Sequence, residues 1–292
     1  MIQKRSAPEQ HDLLAEQLWL TIDSERRIAT LNFDIRKSRN AVSLQVAEAL
    51  AHLSRQIAGS DNFGPLGRLI RERQILLLVL RSHCPDVFLS GGDLRELAAA
   101  SETQGRTYIG QMREFTQMLR TGPLVSVAVL NGLAAGGGAE IALATDLRAI
   151  VSSTARVYFA QSLWGVPAGW GMMTDLTNKG VFFSERRRGI AMAAQDALDV
   201  QKLESFGLAD ARFDTSPQAD DACIQWLGAF ADRLGQCPPE LRTALIAERP
   251  QHPADKLAEF DKELFDKHWL AAEHRNRLNF FLAQRSEQSK KR

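Results

Sequence analysis

Hydrophobic and polar positions follow two rhythms along this chain, and the change from one to the other divides it. In the first half, short apolar runs stand between polar or glycine-bearing turns. Leu18-Trp19-Leu20-Thr21-Ile22 and Ile28-Ala29-Thr30-Leu31-Asn32-Phe33 read as strands, and Asp23-Ser24-Glu25-Arg26 joins them as a hairpin. Residues 75–80 are apolar at every position and 124–130 form a continuous run rich in β-branched residues, as strands covered on both faces do. Between these runs the spacing changes to that of helices. Ser43 is a good N-cap for a helix carrying Val46, Leu50, Leu53 and Ile57 on one face, with Gly59 placed to end it. A second helix begins at Leu94, reaches roughly to Arg120 and is broken by Gly122-Pro123. Residues 59–74 form a connection of unusual length, and 147–151 and 156–159 are two further short strands. From about residue 173 the pattern is helical almost throughout, with breaks at Gly180, Gly207, Pro238-Pro239 and Pro250 and a final helix over about 254–288. Strands alternating with helices, then helices alone, predict an α/β fold with an all-helical C-terminal part. The expected organisation is a loosely docked leader over 1–16, a core over 17–215 and a helical region over 216–292.

Composition narrows the function classes. At 292 residues, with 45% hydrophobic and 24% charged positions, the chain is long enough for one large domain and has the balance of an ordinary globular protein. A formal net charge of +1 gives no reason to expect nucleic acid or an acidic membrane surface as partner. No apolar run approaches the ~18 residues that span a bilayer. The three cysteines, Cys84, Cys223 and Cys237, are scattered, which predicts reduced thiols in a cytoplasmic protein. The six histidines show no metal-ligand spacing, so no metal is expected.

The chemistry concentrates in two glycine turns. Asn131-Gly132-Leu133-Ala134-Ala135-Gly136-Gly137-Gly138-Ala139-Glu140 follows the buried strand at 124–130 and opens a short Ala-rich helix. Glycines there let a ligand approach the backbone closely, and the free N–H groups at the helix start face incoming negative charge. The spacing does not match the dinucleotide fingerprint, and no Gly-Lys-Ser/Thr follows for a P-loop. Ser90-Gly91-Gly92-Asp93 is a second strand–glycine–helix turn, and two such turns can aim two N–H groups at one carbonyl oxygen. Each alone reads as a tight turn. Together, and followed by Glu140, they read as an oxyanion hole.

With these residues in view the chain resembles the crotonase (enoyl-CoA hydratase/isomerase) superfamily from about Leu18 to about Arg285. The resemblance rests on Asn40-Ala41, on Phe88-Leu89-Ser90-Gly91-Gly92-Asp93-Leu94 and on Val129-Leu130-Asn131-Gly132 through Leu143. Asp146, the segment 157–171 and Gly207-Leu208-Ala209-Asp210 extend it. It implies a crotonase-like spiral of ββα units with a helical trimerisation region, and a homotrimer or dimer of trimers. It also implies an acyl-CoA thioester substrate, with coenzyme A entering as part of that substrate and no separate cofactor. By position, the N–H groups of Gly92 and Gly137 would hold the thioester oxygen. Lys37, Ser38 and Arg39 would lie along the CoA nucleotide. Phe280, Phe281 and Arg285 of the last helix would help cover the CoA of the same or a neighbouring subunit.

One departure stands out. Hydratases of this family use two glutamates; the first matches Glu140, while the second aligns with Gln161. An amide cannot ionise, so it hydrogen-bonds but does not exchange the proton. A single acid/base remains enough for an isomerase or for protonating the enolate left by a decarboxylation. The Gly169-Trp170-Gly171 loop resembles that of some decarboxylating members. The expected function is therefore acyl-CoA processing through an enolate with Glu140 as the acid/base. A malonyl-type acyl-CoA decarboxylase and a non-catalytic CoA-ester-binding protein are the alternatives. Gln161, Trp164 and Trp170 are expected to wall the acyl site.

Overall fold

A computed structural model describes residues 9–15, 17–59, 65–72, 75–161, 168–170 and 197–246. The chain divides into two compact units, Met1–Leu234 and Gly235–Arg292.

In the first unit, β2 (Leu18–Asp23) and β3 (Ile28–Phe33) form the expected antiparallel hairpin, with Leu18 opposite Phe33 and Asp23 opposite Ile28. Parallel strands β5 (Leu77–Ser82), β8 (Val125–Leu130) and β10 (Leu147–Ile150) extend it from β3. Two additions are corrections to the sequence reading. β1 (Glu9–Ala15) lies inside the expected leader and pairs antiparallel with β2, its register shifting between His11 and Leu13 and again between Leu13 and Ala15. An edge strand needs only the open backbone of its neighbour, so a polar segment with no clean alternation can still pair there. β13 (Ala211–Arg212) joins β10 in parallel, within a stretch expected to be all helix; a pairing this short leaves no period to read. The described strands thus form a seven-stranded sheet in the order β1-β2-β3-β5-β8-β10-β13.

The two faces of this sheet separate by the alternation of side chains. Leu18, Leu20, Ile22, Leu31, Phe33, Leu78 and Leu80 belong to the main core, together with α1 (Leu44–Ala58) and α4 (Glu102–Thr121). α1 begins at Ser43, whose side chain accepts from Val46 N–H, and ends at Gly59 in the left-handed region, as expected. The helix expected over 94–120 is interrupted: α3 (Leu94–Ala99) stops at Ala100, and α4 restarts behind a capping box of Ser101 and Gln104. The long connection contains α2 (Pro65–Arg71). On the opposite face, Thr21, Asn32, Val79 and His83 meet Cys223 and Leu227 of α7 (Ala219–Gln236) around a 360 Å³ cavity. Cys223 and Leu227 of α7 thus lie within the first unit, which runs to Leu234.

Two smaller sheets carry the turns of interest. β6 (Val87–Leu89), β9 (Leu133–Ala135), β11 (Arg156–Tyr158) and β12 (Ala197–Leu198) form one, in the order β12-β11-β9-β6. β4 (Ala41–Val42) and β7 (Gly91–Gly92) form the other. Beyond them come α5 (Gly137–Ala144) and α6 (Val200–Ser205). The second unit is described only in its first part, where α8 (Pro239–Ile246) has Arg242 donating to Cys237 O at 3.4 Å. The final helix expected over about 254–288 lies outside the described residues, and with it Phe280, Phe281 and Arg285.

Candidate active site

The first glycine turn is held to the basic loop by backbone pairing. β4 and β7 run in parallel with Ala41 opposite Gly91 and Val42 opposite Gly92, and Asp93 N–H donates to Val42 O at 3.0 Å. In a parallel ladder alternate residues face a given neighbour, so the N–H of Gly92 points away from β4. Gly91 has φ +99°, in the left-handed region that favours glycine. Asn40 fixes the loop before it. Fully buried, it accepts from Ile35 N–H at 2.7 Å and donates to Ser82 Oγ at 2.8 Å and Phe88 O at 3.0 Å. Ser90 Oγ also donates to Ser38 O at 3.3 Å. The expected nucleotide-contacting residues therefore sit on a short 3-10 turn anchored to the glycine turn itself, with Lys37 and Arg39 exposed and Ser38 half-buried.

The second turn lies beside the first. β9 pairs in parallel with β6 and β11, and α5 starts at Gly137 directly after Gly136. Gly137 is the first helical residue, so its N–H has no acceptor one turn back. A β-carbon on Gly91 would stand 3.2 Å from the Gly137 nitrogen and 2.9 Å from Ala135 O. The two turns expected to act as a pair are in contact.

Glu140 projects from the first turn of α5 and is 2% exposed. Its carboxylate accepts from Trp170 N–H at 2.8 Å, Gly169 N–H at 3.2 Å and Gln161 Nε2 at 3.2 Å. An ionised carboxylate is an acceptor only, and each of these neighbours presents a donor to it. Gln161 is itself 6% exposed, and among the described residues its buried Oε1 has no hydrogen-bond partner. An orphaned acceptor of this kind costs roughly 1–3 kcal/mol unless a water or ligand supplies a donor. Trp170 is held from its other side as well. Its carbonyl accepts from Thr116 Oγ1, and the carbonyl of Gly169 accepts from Arg113 Nε at 2.8 Å, both donors belonging to α4. The Tyr108 ring meets the Trp170 ring edge-on at 5.9 Å. Burial pushes the Tyr108 phenol far above its usual range, with Glu96 adding to the shift, so it stays a neutral donor to Val42 O at 3.1 Å.

Comparison with known proteins adds the family. The pattern of the enoyl-CoA hydratase/isomerase family matches residues 23–291. The chain belongs to that family. Among its relatives, mouse mitochondrial methylglutaconyl-CoA hydratase is 25% identical over 225 residues, covering 77% of this chain and 67% of that protein. The human form of that hydratase is 27% identical over 60% of this chain, a match that spans 51% of the relative's length. Human mitochondrial enoyl-CoA hydratase domain-containing protein 2 is 36% identical over 64% of this chain and 63% of its own length. The matched part thus spans between half and two thirds of these curated relatives. The crystal structure of the enoyl-CoA hydratase from Geobacillus kaustophilus HTA426 superposes with a TM-score of 0.76 at 20% identity, over 95% of this chain and 97% of that one. The expected crotonase-like α/β fold is therefore the observed one.

Within that family fold, the structure brings together Gly92, Gly137, Glu140, Gln161 and Trp170, and it attaches the Lys37–Arg39 loop to the first glycine turn. Trp164 lies outside the described residues. Three residues escaped the sequence reading: Tyr108, which closes on Gly92, and Arg113 and Thr116, which hold the 169–170 segment. Tyr108 and Thr116 are buried positions of one amphipathic helix, and their periodicity signals packing and nothing more. His83 and Cys84 lie near the first turn in sequence, yet His83 stacks on Trp19 and lines the cavity on the other face of the sheet. Among the described residues, no group of three or more His, Cys, Asp or Glu is arranged to hold a metal ion.

Proposed function

We propose that this family member processes acyl-CoA thioesters through an enolate, held by the N–H groups of Gly92 and Gly137, with Glu140 as the single acid/base. The observation that carries this reading is the contact between the two glycine turns beside a buried carboxylate. Free backbone N–H groups offer fixed dipoles where the thioester oxygen gains charge as the α-proton leaves. A carboxylate one helical turn further on would take that proton and return it. The exposed Lys37 and Arg39 would meet the phosphates of the CoA nucleotide. The family supports hydration or isomerisation of an enoyl thioester as the net reaction. Protonating the enolate left by loss of CO2 from a malonyl-type ester needs the same parts.

One observation favours a second reading, in which the chain binds CoA esters without turning them over. The position aligned with the second carboxylate is an amide, Gln161, and it is engaged with Glu140. Supplying a panel of enoyl-, saturated and malonyl-type CoA esters, and following both binding and product, separates the two. The catalytic reading expects turnover of at least one ester, and a loss of about 10²- to 10⁴-fold in E140Q with binding retained. Full turnover by E140Q on every accepted ester would refute it, and binding with no product in the unaltered protein would establish the second reading.

A further inference from the structure

Trp170 stands against both glycines of the proposed hole. A β-carbon on Gly137 would fall 2.3 Å from Cη2 and Cζ3 of the indole and 2.6 Å from its Cζ2. One on Gly92 would fall 3.8 Å from the same Cζ2, and 2.9 Å from Tyr108 Oη. The benzene edge of the indole therefore fills the space that a side chain would otherwise occupy at Gly137, and stands at ordinary contact distance from that at Gly92. It is fixed there. Trp170 is 5% exposed, and its segment is tied to Glu140 by two N–H groups and to α4 by the bonds from Thr116 and Arg113. Tyr108 and Leu97 close the Gly92 side, each within 3 Å of where a β-carbon would be.

We propose that Trp170 is a specificity-determining residue, the rigid wall that restricts the acyl chamber to short, compact acyl groups. The proposal rests on the CoA-ester reading given above. A thioester carbonyl seated between Gly92 and Gly137, with its α-carbon toward Glu140, sends its acyl chain past a residue whose backbone is bonded to that same Glu140. The backbone that carries the indole is tied on both sides, and the ring itself is buried against Tyr108 and the glycine turns, so a longer chain meets the ring or stays in water. Removing the ring would let added methylenes be buried, each worth about fourfold in affinity.

The test is calorimetric titration of acetyl-, butyryl-, hexanoyl- and decanoyl-CoA into the full-length protein and its W170A and W170F variants. The unaltered protein should bind the two shorter esters at least as tightly as the two longer ones. In W170A, affinity should climb with chain length, so that the decanoyl-to-acetyl ratio rises by tenfold or more; W170F should move the same way by less, and it reads the change if W170A does not fold. A length profile in the variants that parallels that of the unaltered protein would overturn the role of Trp170 while leaving CoA-ester binding in place. Absence of binding by every ester to the unaltered protein would overturn the CoA-ester reading itself, and the proposal with it.

Discussion

Glu140 shows how far a single residue can be read before its surroundings are known. Its place after the glycine cluster makes it a candidate acid/base, but the donors it receives from Gly169, Trp170 and Gln161 come from 21 or more positions away, where no local pattern points back to it. The same holds for Gly137. The need for glycine is visible in the turn, whereas one physical cause, the ring of Trp170, comes from a distant loop. His83 carries a residue-scale prediction. Its Nε2 donates to Asn32 Oδ1 at 2.9 Å, since Asn32 Nδ2 is already committed to Thr21 Oγ1 and Thr30 O. Burial lowers the imidazole below its usual 6.5; Arg81 and Arg36 add to this, and Asp34 and Asp220 oppose it. The folded state therefore favours neutral His83. Its contribution to stability is complete above 6.5 and is lost as pH falls below that value through the folded-state pKa. Thermal unfolding between pH 7.5 and 5 should show the unaltered protein losing stability more steeply than H83Q, and equal slopes would count against this role.

At the scale of elements, regular periods were legible and interruptions were not. The hairpin, α1 with its Ser43 and Gly59 caps, and the buried β5 and β8 follow from pattern alone. The break between α3 and α4 was missed because an Ala-rich run reads as continuous helix, and the Ser101 cap within it is a local competitor that periodicity does not register. The Gly207-Leu208-Ala209-Asp210 motif has a structural task that sequence did not reveal. Arg148 of β10, 4% exposed, donates to Leu208 O at 2.6 Å, to Thr145 O at 2.7 Å and to Asp210 Oδ2 at 3.2 Å. It thereby ties the end of α5, the sheet and the 207–210 turn together. Burial lowers its guanidinium pKa, while Asp210 and Asp146 hold it up. R148M would leave those acceptors without their buried partner and should cost about 3 kcal/mol of stability. The urea midpoint would read it, and a loss under 1 kcal/mol would mean that water replaces the guanidinium with little penalty.

For the molecule as a whole, the α/β class and the pairing of two glycine turns were legible, because parallel strands covered on both faces and glycine turns at strand ends leave signatures in the sequence. The division into a seven-stranded sheet and smaller ones was not, since β4, β7, β12 and β13 are each two residues long. Those short pairings nevertheless bring the site together: β4–β7 docks the basic loop on the first turn, and β6–β9 sets the two turns side by side. In the proposed reaction this arrangement stabilises an enolate and Glu140 moves the proton. The most direct test is exchange of the α-protons of butyryl-CoA with D2O, followed by NMR, because it needs neither hydration nor decarboxylation to occur. Exchange should be catalysed by the unaltered protein and slowed about 100-fold or more in E140Q. Exchange at the same rate in both, or none in the unaltered protein under saturating butyryl-CoA, would contradict it.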